Sequence, residues 1–371
     1  MRKGLAAAGV VALISAGSAA CGADDPASPQ GKVDNAFQKL GKQNTITVDL
    51  GFSGTSASIY SAMKGEDGFT QADADLLASL HVTIGGSSQK SLSLLGKSLG
   101  KDAGATKDSS AGFLLSTDGP SGKKLIEVRA VGQKVYLRAD VQGLEKLDTD
   151  RSDAGSIAEF NDQYLDSLSS TPGSVGAAAS GKWVSIDPAV WSAFVKTALA
   201  AQGGGSDSGS TTPTLDAKTQ NQVVAGLQAA LTKDATFADA GKKDGADHIT
   251  VTVPARQFAQ DVASGVAPAL KQIPGMKQSD LDEMQRAEGV PAKKVTADVA
   301  VKDGSVSSIT FDIHQLDSES TGPLPLTVSF KGSAAPITAP SGAVALNPQD
   351  VVSAVMGMMG DDSGSSDDSM F

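Results

Sequence analysis

Ile46, Val48, Leu50 and Phe52 alternate with Thr47, Asp49 and Gly51 along one short segment. A period of two sends successive side chains to opposite faces of a strand, so the segment belongs in a sheet with one apolar and one wet face. Further strands are predicted over 81–84, 112–116, 124–130, 134–139 and 183–186, and again over 294–301, 306–314, 324–331 and 335–338. Gly132-Gln133 and Lys302-Asp303-Gly304-Ser305 supply turn chemistry for two hairpins. Helical spacing appears over 32–42 (Val33, Phe37, Leu40), over 71–80 after Thr70, and over 220–231.

A strand running into proline and then an amphipathic pattern occurs three times. Residues 183–199 read WVSIDPAVWSAFVKTAL, with Asp187 placed to cap a helix and Pro188 at its first position. Residues 249–266 repeat the device around Pro254, and residues 344–356 around Asn347 and Pro348. Such units pack helices back on one face of a sheet. The fold class expected is α+β, and strands with one apolar face under amphipathic helices enclose either a sealed core or a cavity.

Composition removes several functions. A net charge of −11 lacks the basic footprint that nucleic acid requires. One cysteine excludes an internal disulfide framework and a Cys-based zinc cluster, and three dispersed histidines leave no His-rich centre. Neither metal nor cofactor is expected. With two Trp, three Tyr and eleven Phe, core packing is the expected use of Trp183, Trp191 and Tyr136 rather than a sugar-stacking site.

The lone cysteine has a specific setting. Met1-Arg2-Lys3 is basic, residues 4–17 are uncharged and apolar, and Ser18-Ala19-Ala20 places small residues before Cys21. This is the order of a secretory signal peptide. The cysteine after it resembles the bacterial lipobox, although Ser18 stands where that pattern prefers Leu. The expectation is cleavage after residue 20 and acylation of Cys21, the lipidation site. Loss of Arg2 and Lys3 takes the charge from −11 to −13, so attachment to the extracytoplasmic membrane face rests on the acyl group and not on surface charge. The remaining organisation expected is a flexible tether over 21–31, folded parts over 32–201 and 217–360, a Gly/Ser linker over 202–216, and an acidic tail over 361–371.

Motif matches to catalysis fail on context. Gly176 to Lys182 fits seven positions of a phosphate-binding loop, but Trp183 replaces the Ser/Thr that holds magnesium and a strand follows instead of a helix. Ser61/Lys64, Ser87/Lys90 and Ser121/Lys124 match Ser-x-x-Lys without the Ser-Asp-Asn and Lys-Thr-Gly partners of penicillin-recognising enzymes. Asp73/Asp75 and Asp280/Asp282/Glu283 lack the calcium-loop pattern and are expected at helix N-termini. His81, His248 and His314 are expected to be structural. No catalytic residue is assigned, and the chain is expected not to be an enzyme.

Several segments resemble one family. Residues 124–139 (KLIEVRAVGQKVYLRA) followed later by Gly181 to Ile186, the hairpin 294–313, and the closing stretch 326–340 (LTVSFKGSAAPITAP) resemble the LppX/LprG-type lipoproteins, which share a fold with LolA-like carriers. The opening helix and strand 46–52 are similar as well. The resemblance implies a strongly curved antiparallel sheet, a half-barrel, with helices on its concave face around an apolar cavity for acyl chains. It implies a membrane-anchored lipoprotein that binds or carries a lipid, glycolipid or other apolar ligand. The alternative is an envelope lipoprotein with a solid core, serving as a sensory or interaction module for another envelope protein.

Overall fold

The computed structural model describes residues 25–66, 68–88, 109–145, 147, 173–201, 229–230, 233–271, 277–316 and 321–360. The signal peptide, Cys21, the 202–216 linker, the acidic tail, Lys90 and most of the 220–231 helix lie outside them. The chain forms two compact units. The first comprises Met1–Gly104 with Ser210–Pro336, and the second Ala105–Gly209 with Ile337–Phe371. Each unit therefore draws on chain from both sides of segment 202–216.

In the first unit, strands β1 (Thr45–Phe52), β2 (Leu80–Ser88), β7 (Thr236–Lys243), β8 (Ala246–Pro254), β9 (Lys294–Lys302), β10 (Ser305–Asp312) and β11 (Pro325–Gly332) build an antiparallel sheet. Their order is β2-β1-β11-β10-β9-β8-β7, and β7 does not return to β2, so the sheet stays open. This is the α+β class that the sequence pattern predicts, with the open antiparallel sheet that the family resemblance implies. Bulges at Val306/Ser308 in β10 and Asp239/Gly241 in β7 insert an extra residue and increase local bend and twist. Two-residue turns with both residues at positive φ, Asp244-Gly245 and Asp303-Gly304, close the β7–β8 and β9–β10 hairpins.

Register places the apolar residues on one face. Leu50 lies opposite Val328, Val328 opposite Ile309, Ile309 opposite Val299, and Val299 opposite Ile249. Helix α1 (Pro29–Gly41) crosses this face with Val33, Ala36, Phe37 and Leu40, one stripe at helical spacing. It begins earlier than the sequence pattern implies because Ser28 caps it and Pro29 occupies its first turn. Lys32 reaches Asp239 at 3.2 Å and Lys39 reaches the Asp303 carbonyl, so both ends of α1 are clipped to the sheet. Full burial of a Val or Leu contributes about 1.5–3 kcal/mol, so the stripe and not the clips holds the helix down.

Helices α2 (Ser56–Met63) and α3 (Gln71–Ser79) form a smaller cluster around Ile59, Ala62, Ala74 and Leu324. Thr70 and Asp73 make a reciprocal capping box at the start of α3, the role expected for that acid.

The second unit contains β3 (Ser109–Thr117), β4 (Lys124–Val131), β5 (Lys134–Ala139), β6 (Val184–Ile186) and β12 (Val344–Ala345), in the order β12-β6-β5-β4-β3. Among the described residues only β12 and β6 run parallel within it. Around them lie α4 (Val141–Glu145), α5 (Ser174–Ala179), α6 (Pro188–Ala201) and α9 (Pro348–Gly360); α7 (Ala255–Leu270) and α8 (Gln278–Arg286) belong to the first unit. Asp280 accepts from the Lys277 backbone N–H at the start of α8, so that acid serves the helix end, while Asp282 accepts from the Gln278 side chain. Pro254 ends β8 and α7 begins at Ala255, one residue later than the strand-proline-helix pattern suggests.

The predicted strand over 335–338 does not form. Pro336 has no N–H to give a ladder, and the segment runs as irregular chain. His314 likewise falls in a short 3₁₀ turn (Ile313–Gln315) instead of the strand.

Candidate ligand-binding face

The two faces of the second unit's sheet differ sharply in chemistry. On one face Phe113 lies opposite Val128, Leu115 opposite Ile126, and Val128 opposite Leu137, which lies opposite Val184. These side chains form an aliphatic strip across four strands. Val184 is fully buried, yet Leu115, Ile126, Val128, Val135 and Leu137 are only half-buried and Phe113 is exposed. Val190 on α6 and Val352 and Met356 on α9 are exposed too; the last two stand four residues apart on one side of α9. Among the described residues, the buried hydrophobics of this unit are Leu125, Ala177 and Val184, against two dozen in the first. Apolar surface left this open marks a place where a ligand or partner can bind.

The opposite face is built on charge. Glu127 is buried on β4 and accepts from Arg129 Nε at 3.0 Å and Nη2 at 2.5 Å, two residues along the strand. Arg138, directly across on β5, donates to its other oxygen at 2.9 Å. Both guanidiniums sit over Trp183, 4.9 and 5.1 Å from the ring centroid, within cation–π range. Burial works to raise the Glu127 carboxyl. Arg129, Lys124 and Arg138 outweigh it, so the group lies below the ordinary glutamate range and is ionised at neutral pH. Arg129 also donates from Nη1 to the Thr338 carbonyl at 3.0 Å, and Ile337 lies against Gly112, so the segment expected as a strand serves here as a strap over β3 and β4.

Helix ends in this unit are tied by Asp350. Its carboxylate accepts from the Ser174 hydroxyl at 2.7 Å and backbone N–H at 3.1 Å, and Ser174 in turn accepts from the Asn347 N–H at 3.0 Å. Those bonds favour the charged form and hold Asp350 below the usual carboxylate range.

The other residues singled out by sequence are dispersed. Gly176 to Lys182 covers the end of α5 and the turn after it, where the Lys182 N–H bonds the Ala177 carbonyl. Lys124 reaches Glu127 and not Ser121. Asp75 accepts from the Ser56 hydroxyl and from Gln71. His81 pairs with Asp49 at 2.8 Å, and His248 with Asp298 at 2.7 Å, on the polar face of the first unit's sheet. The Nδ1 of His314 and the indole N–H of Trp191 are buried without a hydrogen-bond partner. Among the described residues no His, Cys, Asp and Glu grouping has metal-holding geometry, and no helix is long and apolar enough to cross a membrane. The Glu127 cluster escaped sequence reasoning; its signal was charge at period two inside otherwise apolar strands.

No family model matches the chain, and no curated protein matches it. Among solved structures it is similar to the lipoprotein LppX of Mycobacterium tuberculosis at 10% identity, over 85% of this chain and 100% of that one, with a TM-score of 0.29.

Proposed function

We propose that this chain is an envelope lipoprotein, anchored through an acylated Cys21, that binds acyl chains or another apolar ligand on the aliphatic strip of its second unit. The observation that carries the reading is the incomplete cover of Phe113, Leu115, Ile126, Val128 and Leu137 on one face of the sheet. Each methylene moved from water onto such a strip contributes about 0.8 kcal/mol, so a chain of a dozen carbons has a strong reason to settle there. Aliphatic contact, with Phe113 the one ring named among the strip's described residues, suits a tail better than a sugar or a nucleobase. The signal-peptide order before Cys21 supports delivery across the membrane and retention on its outer face.

Native mass spectrometry of the chain purified from membranes tests both parts. Expected are adducts of lipid mass that vanish in Val128→Asp, whose charge would have to enter the strip. Protein free of lipid, or adducts unchanged in that variant, would sink the ligand reading. Cys21→Ala should release the protein from the membrane fraction, and unchanged retention would remove the anchor.

A further inference from the structure

Three cations converge on one carboxylate in the second unit. Arg129, Arg138 and Lys124 all face Glu127, and Asp140, the next acid along the chain after β5, is met by Lys123 at 2.9 Å. The three are not equally engaged. Arg129 gives Nε and Nη2 to Glu127 and Nη1 to Thr338. Arg138 gives Nη2 to Glu127 Oε2; a guanidinium carries five N–H donors, and its others meet no protein acceptor among the described residues. Lys124 stands 3.7 Å from that same oxygen, beyond hydrogen-bond distance. Because both approach Oε2, Lys124 Nζ and Arg138 Nη2 are no farther apart than the sum of 2.9 and 3.7 Å. Their side chains are 39% and 33% exposed, so solvent reaches both. Glu127 from one side and the Trp183 face from another fix the Arg138 guanidinium before any ligand arrives.

We propose that Arg138 and Lys124, beside Trp183, form a binding site for a phosphate group. The planar fork of a guanidinium matches two oxygens of a tetrahedral oxyanion, and an ammonium within a few ångströms adds a point charge to a third. Glu127 is a positioning residue here, since it orients Arg138 and leaves the cation in excess. In a chain of net charge −11 such a local surplus stands against the field of the whole molecule. The site lies across β4 and β5 from the aliphatic strip, so it stands or falls independently of the acyl-binding proposal. The phosphate could be carried by a phospholipid headgroup or be the free ion.

The chain has two tryptophans, so the full-length Trp191→Phe protein reports Trp183 alone. Its emission is followed while inorganic phosphate, or glycerophosphoglycerol as a tail-less phospholipid headgroup, is titrated in at constant ionic strength. A saturable change is expected, weakened roughly tenfold or more by Arg138→Gln and by Lys124→Gln as each removes a charge-assisted contact. Tighter binding of the headgroup assigns the site to lipid, and tighter binding of phosphate assigns it to the free ion. The proposal is overturned if neither probe gives a saturable change, if sodium chloride reproduces it, or if Lys124→Gln, at an exposed strand start, binds as the parent does.

Discussion

The two units use the same strand grammar and differ in what covers it. In the first, Leu50, Val328, Ile309, Val299 and Ile249 lie side by side across five strands, and the stripe Val33, Ala36, Phe37 and Leu40 of α1 closes over them. In the second, Phe113, Val128 and Leu137 continue the same pattern, but only Val184 in that row is fully buried. A period of two specifies which side chains share a face; it does not specify whether a helix seals that face. The sealed sheet is therefore read as scaffold and the half-covered one as surface for use.

Paired truncations put that contrast at most risk. Ile309→Ala should cost about 3 kcal/mol, since it leaves a cavity in packed surroundings, whereas Val128→Ala should cost about 1 kcal/mol or less because its methyls are already partly in solvent. Urea unfolding with separate probes in each unit measures both. Equal losses would mean that the second face is as sealed as the first.

With so little buried aliphatic surface in the second unit, the charged cluster is expected to contribute to holding it. Glu127→Gln would leave Arg129 and Arg138 facing one another across Trp183 with no carboxylate between them. A loss of about 2 kcal/mol is expected, less than for a fully buried pair because both arginines keep access to water. A change within about 0.5 kcal/mol, the range of ordinary surface substitutions, would show that the cluster is not structural.

Much of this was legible in the sequence, and the failures have physical causes. Hairpin 294–313 and the capped helix after Thr70 were legible because alternation, turn residues and caps act within a few residues. Strand β7 (TFADAGKK) was not, since Phe237 is its one large apolar side chain, although Asp244-Gly245 carried the turn signal for it. The segment 335–338 misled because Ile337 and its neighbours suit a strand while Pro336 removes a donor; its use is to strap Arg129 and Gly112. Arg129 and Arg138 sit on the two arms of one predicted hairpin, but Trp183 reaches them from a distant segment, a meeting that no local pattern encodes. The cover over each face is equally long-range.

A smaller effect sharpens the comparison on the polar face of the first unit. A methyl at Gly51 would stand 2.8 and 2.9 Å from the His81 ring, which is held by Asp49. Gly51→Ala should therefore push the imidazole off its partner at a cost of about 1 kcal/mol, in the range of mild overpacking. His81→Ala should recover most of that loss in the double variant, and additivity of the two would place the strain elsewhere.

The smallest effect is local and depends on pH. Asp350 is held below the usual carboxylate range by the Ser174 hydroxyl and N–H, so its folded form binds a proton less readily than its unfolded form. A depressed folded value contributes stability that is fully present above the unfolded value, about 3.9, and is lost as pH falls through the folded one. The tie between α5 and α9 should then loosen below about pH 4 while the apolar seal of the first unit, which involves no titrating group at Ile309, holds. Hydrogen exchange reads the two together: the Ser174 amide should lose protection on acidification before the Ile309 amide does. In Asp350→Asn, which cannot titrate, Ser174 protection should be lower at neutral pH and flat toward acid. Simultaneous loss at both amides would mean that the units open as one, and the distinction between a sealed scaffold and a looser working face would fail.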